Sequence, residues 1–376
     1  MKKLLYVDHS FHKKTKSAQF LKDILQEAYD VETCDFDPYE RNPNRVFETF
    51  RGLEYDVLVL FQVIPDLEVL KANIRFKRAV FFPMYDGCGD LKDEDWEIFR
   101  EFNIINFSKT LHEHLLDLGL SSYYIQYFPK PFENFDNGNP SHVYFWQRVS
   151  NLNLNLVENL LKNFSFQKLH LHKVLDPDNY FKEPSQQLAS KIEVSEWYDT
   201  REKMQKDIEM CAIYIAPRPY EGIGMSFLEA MAMGRCVIAP NHPTMNEYIV
   251  NGQNGLLYDF SAPQPLKGDV DIAKIQQNAY EFICCGYAQW EMNKYKILEW
   301  LEAPLQLSAL KKRRRYLNVR YYYLFCLIPI LAMKERSFKK KYYDLFGFIR
   351  ILKCKQKPTG VKYYLFGFLP IWKIKY

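Results

Sequence analysis

The chain has 376 residues, 48% of them hydrophobic, which is long enough for two folded domains and too apolar for a mostly disordered protein. Its eight cysteines form no CxxC pair, so the sequence argues against a zinc site or a disulfide framework and favours reduced thiols in a cytosolic protein. The net charge of +4 is unevenly distributed, because residues 311–376 contain 18 Lys and Arg against two acids. The rest of the chain is acidic in balance, which marks the C-terminal segment as a separate functional element.

The first third of the chain alternates strand-like and helical patterns. "KLLYVDH" is followed by the amphipathic "SAQFLKDILQEAY", and further buried strands follow at "DVLVLFQV", "RAVFFPMYD" and "IINFS". This alternation predicts a parallel sheet covered by helices on both faces. The first apolar run is too short for a secretory signal, and the longest one, residues 321–333, is shorter than the roughly 20 residues that cross a bilayer.

A linker and a second series of the same kind follow. The linker is "YFPKPFENFDNGNPSH", and the next strands are "HVYFWQR", "KLHLHKV", "CAIYIAP" and "CVIAP", with a long closing helix at "QQNAYEFICCGYAQWEMNKYKILEWLE". We therefore predict an α/β protein with one Rossmann-like domain at 1–135, a second at 136–305 that includes the closing helix, and a basic aromatic tail at 306–376. The active site is expected in the cleft between the domains, at the carboxyl ends of the strands.

The segment "APRPYEGIGMSFLEAMAMGRCVIAP" places two acids around a glycine-rich turn. A helix that begins near Ser226 would present bare backbone amides and its positive dipole end to an anion such as a diphosphate. Gly222 and Gly224 lack the Cβ atoms that would keep a ligand away, and Glu229 can accept hydrogen bonds from a vicinal diol such as a ribose. By itself, the pattern is equally consistent with a strand-to-helix connection that has an acidic cap.

Residues 211–258 as a whole resemble the donor-binding half of GT-B glycosyltransferases, and most of all the large retaining family four (group 1). The resemblance rests on the Glu-x7-Glu spacing, on "LEAMAMGRCVIAP" and on the later "NEYIVNGQNGLLY". It implies a GT-B fold of two Rossmann-like domains facing across a cleft. It also implies that Glu221 contacts the donor sugar, that Glu229 binds the ribose hydroxyls, and that the phosphates are held by Gly222, Ile223, Gly224, Met225 and Ser226.

A second match lies near the start of the second domain. "FWQRVSN" resembles the Gly-Arg phosphate clamp of the family, which makes Arg148 a catalytic candidate beside Glu221. The sequence departs from the pattern because Gln147 replaces the usual glycine and no lysine follows closely. Arg218 is a nearby substitute for the missing cation, and the alternative, a surface cation, is equally compatible with the sequence.

The acceptor side is predicted from position in the chain. The segment "VDHSFHKKTKSAQFL" follows the first strand, where the family has a glycine-rich acceptor loop, and it offers His9, His12, Lys13, Lys14 and Thr15. A solvated basic loop is the alternative. Asp86, at a later strand end, is a weaker candidate, as are Ser108 and Lys109. The acid pair in "DFD" at 35–37 lies far from the donor motif, so no metal ion and no cofactor are expected.

The resemblance implies transfer of a sugar from a nucleotide-diphosphate sugar to a glycan or lipid-linked acceptor, in the synthesis of a surface polysaccharide or lipopolysaccharide. Two alternatives are a GT-B sugar-nucleotide epimerase and a non-catalytic scaffold that binds a membrane or a polyanion. Intact Glu221 and Glu229 argue against the scaffold.

The tail contains three copies of an apolar motif, "LFCLIPIL", "LFGFIRILK" and "LFGFLPIWK", each preceded by tyrosines and basic residues. Clustered cations and aromatic rings are typical of segments that bind the membrane interface, so residues 311–376 are predicted to hold the protein on an anionic membrane surface. The predicted location is cytoplasmic and peripheral, at the inner face of the cell membrane. Nucleic acid is a rival partner that the apolar motifs disfavour, and packing of the tail on the protein is the alternative.

Overall fold

The computed structural model describes residues 1–309, 318–324, 328–337, 340–346, 349–357 and 360–374. These residues form three six-stranded sheets in succession along the chain. The first two sheets are parallel and belong to α/β domains, as the alternating sequence patterns predict. The third is antiparallel and is formed by the tail.

The first domain contains a parallel sheet of order β2-β1-β3-β4-β5-β6. Its strands are β1 (Lys2–His9), β2 (Tyr29–Phe36), β3 (Glu54–Phe61), β4 (Arg75–Phe82), β5 (Asn103–Asn106) and β6 (Ser122–Tyr124). Its α-helices are α1 (His12–Thr15), α2 (Gln19–Gln26), α3 (Leu67–Asn73), α4 (Tyr85–Cys88) and α5 (Lys109–Asp117), with 3-10 helices at Pro43–Phe50 and Asp93–Phe99. Leu4 and Tyr6 pack in one core cluster and Leu5 and Val7 in another, so the strand is buried on both faces.

The second domain repeats this design with the order β12-β11-β10-β7-β8-β9. Its strands are β7 (Asn139–Gln147), β8 (Lys168–Lys173), β9 (Ile192–Ser195), β10 (Cys211–Ile215), β11 (Cys236–Pro240) and β12 (Leu256–Tyr258). Its helices are α6 (Leu154–Leu160), α7 (Gln186–Ala189), α8 (Arg201–Glu209), α9 (Met225–Ala232), α10 (Met245–Tyr248) and α11 (Ile272–Asn293). The strand order reverses between β7 and β10, and β10 leads into the glycine-rich turn.

The closing helix differs from the prediction that it lies wholly in the second domain. It is divided into α11 and a separate α12 (Lys296–Glu302), and α12 packs on the first sheet. The Trp300 ring stacks on Tyr123 at 4.9 Å between centroids, and the Asn103 side-chain amide donates to the Ala303 carbonyl at 2.8 Å. The chain thus returns to the first domain, and these contacts link the two domains on the side opposite to a simple linker.

The tail forms an antiparallel meander of order β13-β14-β15-β16-β17-β18. Its strands are β13 (Asn318–Leu324), β14 (Ile328–Ser337), β15 (Lys340–Leu345), β16 (Ile349–Lys357), β17 (Gly360–Leu365) and β18 (Leu369–Ile374). Each copy of the sequence repeat is therefore one β-hairpin. Within the described part of the chain, no helix is long and apolar enough to cross a membrane.

Candidate active site

The glycine-rich turn joins β10 to α9, as the sequence predicts. Gly224 is the residue before the helix and has a φ of +83°, a left-handed conformation that glycine adopts without strain. Gly222 is needed for a different reason than ligand approach, because a Cβ there would lie 2.8 Å from the Met84 side chain and 2.9 Å from the Asp86 carboxylate. The two glycines therefore let the first domain approach the turn closely.

Glu221 lies in this turn and is 7% exposed. Burial raises the pKa of its carboxyl to about 7, and the positive charges of Arg218 and Arg148 only partly oppose this effect. The negative charges of Asp86 and Asp176 act in the same direction as burial. A carboxyl that titrates near neutral pH in a cleft is a candidate for a chemical role, because small changes in nearby charge alter its protonation.

Two arginines and two acids meet beside Glu221. Arg148, directly after β7, donates from Nε and an Nη atom to one oxygen of Asp176, at 3.0 and 2.7 Å. Arg218 donates to the other Asp176 oxygen at 3.0 and 2.6 Å, and it also reaches Asp86 of the first domain at 3.3 Å. Arg218 is therefore a cleft residue rather than a surface cation. One carboxylate, Asp176, thus holds both guanidinium groups that the sequence analysis assigned to phosphate.

Asp176 was missed by the sequence analysis. It follows β8 in "VLDPDN", at the carboxyl end of a strand next to β7, and that position was its available signal. Asp86 lies directly after β4 in α4, and burial raises its pKa while Arg218 opposes the shift. The structure thus brings Asp86 to the donor side of the cleft, in contact with the second domain, rather than to the loop after β1.

Gln147, the residue that replaces the family glycine, is fully buried. Neither its side-chain nitrogen nor its side-chain oxygen has a hydrogen-bond partner among the described residues. A buried amide without partners costs about 1–3 kcal/mol per group. The substitution therefore places an uncompensated polar group next to Arg148.

The rest of the donor motif lies along α9. Glu229 is mostly buried, and its carboxylate accepts a 2.6 Å hydrogen bond from Arg201 at the start of α8. Burial raises the pKa of Glu229, and Arg201 opposes that shift. Ser226 contacts the buried Tyr214 hydroxyl of β10. The other predicted donor residues differ in exposure: Ile223 is buried in the core and Met225 is half-buried against it.

The loop after β1 brings the predicted acceptor residues to the same side. The His12 ring nitrogen Nδ1 lies 2.5 Å from the buried Asp8 carboxylate, so an acid orients this imidazole. The Lys14 ammonium lies 4.2 Å above the Trp197 ring of the second domain, and the loop therefore crosses the cleft. Lys13 instead pairs with Asp35 at 2.5 Å, which satisfies its charge locally.

The two remaining loop candidates make short local contacts. The His9 ring accepts a hydrogen bond from the Phe11 amide at 3.1 Å, and burial lowers its pKa. The Thr15 hydroxyl lies 3.0 Å from the Ser17 hydroxyl. Neither contact reaches the donor motif, so the structure joins His12 and Lys14 to the cleft more directly than His9, Lys13 or Thr15.

A second link between the domains involves the weak candidates Ser108 and Lys109. Glu247 of α10 accepts hydrogen bonds from the Ser108 hydroxyl at 2.9 Å and from the Lys109 and Thr110 amides at 2.7 and 2.9 Å. The carboxylate thereby caps the N-terminus of α5, where it also complements the helix dipole. Ser108 and Lys109 are structural in this arrangement, and Glu247 is part of the quoted "NEYIVNGQNGLLY" segment.

Among the residues that the structure describes, no three His, Cys, Asp or Glu side chains are grouped so that they could hold a metal ion. Transfer without a metal and without a cofactor stays a prediction. The positive charge beside Glu221 comes from Arg148 and Arg218.

Comparison with known proteins agrees with this geometry. Residues 151–271 match the family model described as Glycosyl transferases group 1, whereas no curated protein matches the chain. Among solved structures, the chain is similar to Anabaena HepE in complex with UDP and glucose, with 15% identity and a TM-score of 0.54 over 80% of this chain and 100% of that one.

A second similar structure is the sucrose-phosphate synthase of Thermosynechococcus elongatus. It shares 12% identity with a TM-score of 0.56, over 80% of this chain and 98% of that one. At such identities the similarity concerns the fold, which is GT-B, whereas the family match concerns the donor-side domain. Together they show that the chain is a GT-B glycosyltransferase whose second domain belongs to the group 1 family.

Proposed function

We propose that the protein transfers a sugar from a nucleoside-diphosphate sugar to a hydroxyl of a glycan or lipid-linked acceptor, with retention of the anomeric configuration and without a metal. The observation that carries the proposal is the meeting of Arg148 and Arg218 beside the buried Glu221, at the start of α9. Two guanidinium groups and a helix N-terminus are suited to a diphosphate leaving group.

In the proposed reaction, the bond between the anomeric carbon and the diphosphate oxygen breaks, and the acceptor oxygen bonds to that carbon. The hydroxyl proton leaves with the diphosphate. Negative charge therefore grows on the diphosphate, where Arg148, Arg218 and the amides of residues 222–226 stabilise it. Loss of one preorganised donor of this kind typically costs about 2.7–4 kcal/mol of transition-state stabilisation.

Asp176 acts in this proposal as an occupant of the phosphate site. Its two oxygens accept hydrogen bonds from the same two arginines that a diphosphate would engage. Donor binding replaces these contacts, and Asp176 keeps the guanidinium groups oriented until then. Glu229 exchanges its Arg201 contact for the ribose hydroxyls in the same step.

Glu221 binds the donor sugar in this proposal, and its protonation depends on the donor. A diphosphate adds negative charge near Glu221, and a nearby like charge raises the pKa of a carboxyl above its value in the empty cleft. Glu221 is therefore protonated in the donor complex and donates a hydrogen bond to a sugar hydroxyl. On the acceptor side, His12, oriented by Asp8, and Lys14 line the entrance.

The proposed location is the inner face of the cell membrane, where the protein is peripheral and assembles a surface polysaccharide or lipopolysaccharide. The basic tail, residues 311–376, supports this location because it adds 18 cations beside aromatic and apolar residues. A lipid-linked acceptor would be presented at that surface.

The test is incubation of the full chain with a panel of nucleotide sugars, with release of nucleoside diphosphate measured by mass spectrometry. UDP-glucose comes first, since HepE was solved with UDP and glucose. Calorimetry of UDP binding at pH 8 in buffers of different ionisation enthalpy should show proton uptake in the wild type and none in Glu221→Gln. Absence of any diphosphate release across the panel, with and without acceptor glycans, would refute the proposed activity.

A further inference from the structure

The third sheet is polarised along its strands rather than between its faces. The connections β13–β14, β15–β16 and β17–β18 lie at one end, and the connections β14–β15 and β16–β17 lie at the other. The first end carries the repeated "LF" motif, and the second carries lysines in "SFKKK" and "KQKPTGVK". The apolar and the basic residues of the repeat are therefore separated in space.

The apolar end exposes its largest side chains. The exposed fraction is 50% for Phe346, 53% for Phe366, and 69% for both Phe368 and Trp372. Ile349, Leu369 and Ile371 are also about half exposed. A group of exposed apolar side chains of this size marks a surface that meets a partner.

The hairpin tips keep phenylalanine at a position that disfavours it. Phe346 has a φ of +49° and Phe366 a φ of +51°, and Gly367 follows with +83°. Tight hairpin turns with positive φ prefer Asn, Asp or Gly, and a bulky residue there is strained. Two hairpins repeat this conformation, so the aromatic ring at the tip is kept at a cost in backbone energy. Strain of this kind points to a function of the side chain.

A row of lysines crosses the sheet behind the tips. Lys355 is directly opposite Lys362, and Lys362 is opposite Lys373, so three neighbouring strands carry cations in register. The backbone of Lys340 continues the row on β15. Opposed like charges destabilise a sheet, and strands are about 4.8 Å apart, so a surface of closely spaced phosphates would offset the repulsion.

The one acid among the described side chains of this sheet is neutralised. Asp344 is 2% exposed, and its carboxylate is 3.0 Å from Arg350 and 3.1 Å from Lys334. Asp344 therefore presents no net repulsion to an anionic surface.

The distance between the lysines and the tip fits one membrane interface. On β17, Lys362 precedes Leu365, the last strand residue before the tip, by three residues, which is about 10 Å along a strand. Interfacial segments reach roughly 5–10 Å into the headgroup and acyl boundary, and a bilayer core is about 30 Å thick. The hairpin is thus long enough to enter one leaflet and too short to cross the bilayer.

We propose that the third sheet inserts its hairpin tips, Phe346 and Phe366 with Phe368, edge-on into an anionic bilayer while the Lys355–Lys362–Lys373 row binds lipid phosphates. This inference rests on the proposed location of the enzyme and specifies the surface, the orientation and the lipid charge. The apolar tips favour a bilayer over a nucleic acid, which would engage the lysines without burying the tips.

The first test uses flotation of the full chain with vesicles of phosphatidylcholine, with and without phosphatidylglycerol. The double variant Phe346→Asn/Phe366→Asn replaces the strained residues by one that tolerates positive φ, so the hairpins remain folded. It should bind the anionic vesicles at least tenfold more weakly, since burial of one phenylalanine is worth about tenfold or more. The control, Tyr180→Asn/Met292→Asn, removes exposed apolar side chains from the two-domain body and should bind like the wild type.

The second test removes the lysine row. Lys355→Gln/Lys362→Gln/Lys373→Gln should weaken binding to anionic vesicles by about fivefold per lysine and leave binding to neutral vesicles unchanged. The control, Lys71→Gln/Lys77→Gln/Lys203→Gln, makes the same change in net charge at exposed lysines of the body and should have little effect.

Two results would overturn the inference. One is unchanged flotation of the phenylalanine variant, and the other is binding of the wild type to single-stranded DNA or polyphosphate but not to vesicles. Diphosphate release in solution is measured on the same variants and should not change. If release is absent while flotation responds as expected, the proposed activity fails and the anchor stands.

Discussion

The two-domain body and the third sheet use aromatic residues in opposite ways. In the body, Trp96 and Phe99 are at most 1% exposed and pack between helices and a parallel sheet. In the third sheet, Phe368 and Trp372 are 69% exposed. The difference teaches that the high aromatic content of the chain, 16%, serves two purposes, a folded core in one region and a contact surface in the other.

The two regions also treat charge differently. In the cleft, Arg148 and Arg218 are each held by Asp176, so the charges are balanced before any ligand arrives. In the third sheet, Lys355, Lys362 and Lys373 lie opposite one another. The first arrangement suits a site that exchanges one anion for another, and the second suits a surface that collects anions. If this comparison is correct, changes in the cleft and changes in the sheet should affect separate measurements.

The largest expected effect is loss of turnover in Glu221→Gln. Replacing a group that binds the donor sugar in the transition state should lower kcat by about 10²–10³-fold, while flotation with anionic vesicles stays at the wild-type level. Initial rates of diphosphate release measure the first effect. Glu193→Gln, a surface change in the same domain, should keep its activity. Comparable rates for Glu221→Gln and the wild type would remove Glu221 from the site.

A smaller and opposite effect is expected for Asp176→Asn. The neutral amide holds the two arginines less strongly, so UDP should bind several-fold more tightly by calorimetry, while the Tm falls because the partly buried Arg148 and Arg218 lose a charged partner. Asp199→Asn, an exposed acid paired with Lys203, is the matched control and should change neither quantity. Weaker UDP binding by Asp176→Asn would show that Asp176 orients the arginines without competing for the phosphate site.

The stability of the body should depend on pH through Glu221. Its pKa is about 7 in the folded protein and ordinarily 4.5, so the folded state binds more protons between these values. Stability from this group is present below pH 4.5 and is lost as the pH rises to 7. Because Gln does not titrate, the Tm of Glu221→Gln relative to the wild type should rise from pH 5 to pH 8. A Tm difference that is constant over this range would show that Glu221 is ionised throughout.

Much of the fold could be predicted from the sequence, because its signals are local. Buried parallel strands are short apolar runs, and the turn before α9 is marked by Gly222, Gly224 and the Glu-x7-Glu spacing. The contacts of Asp176 with Arg148 and Arg218 could not be predicted, because they join three separate loops that meet only when the sheet is assembled. The position of α12 was missed for the same reason, since its helical pattern does not say which sheet it covers.

The third sheet shows a different limit of sequence analysis. The repeat was recognised and its chemistry indicated an interface, but short apolar runs bounded by lysines do not by themselves distinguish strands from helical turns. The hairpin became clear from pairing, such as Tyr363 opposite Trp372 and Lys362 opposite Lys373. The charge pattern predicted the class of partner, and only the register reveals that the cations form a row.

The smallest expected effect concerns the link between the domains at Glu247. Its carboxylate accepts three hydrogen bonds at the start of α5, from Ser108, Lys109 and Thr110, and a side-chain cap of this kind is worth about 0.5–2 kcal/mol. Glu247→Gln should therefore lower the Tm by a few degrees at most and leave vesicle binding unchanged, because the third sheet does not share this contact. Glu281→Gln, an exposed change on α11, is the control. A fall in vesicle binding with Glu247→Gln would contradict the separation of body and sheet, since it would mean that the anchor depends on how the two domains are joined.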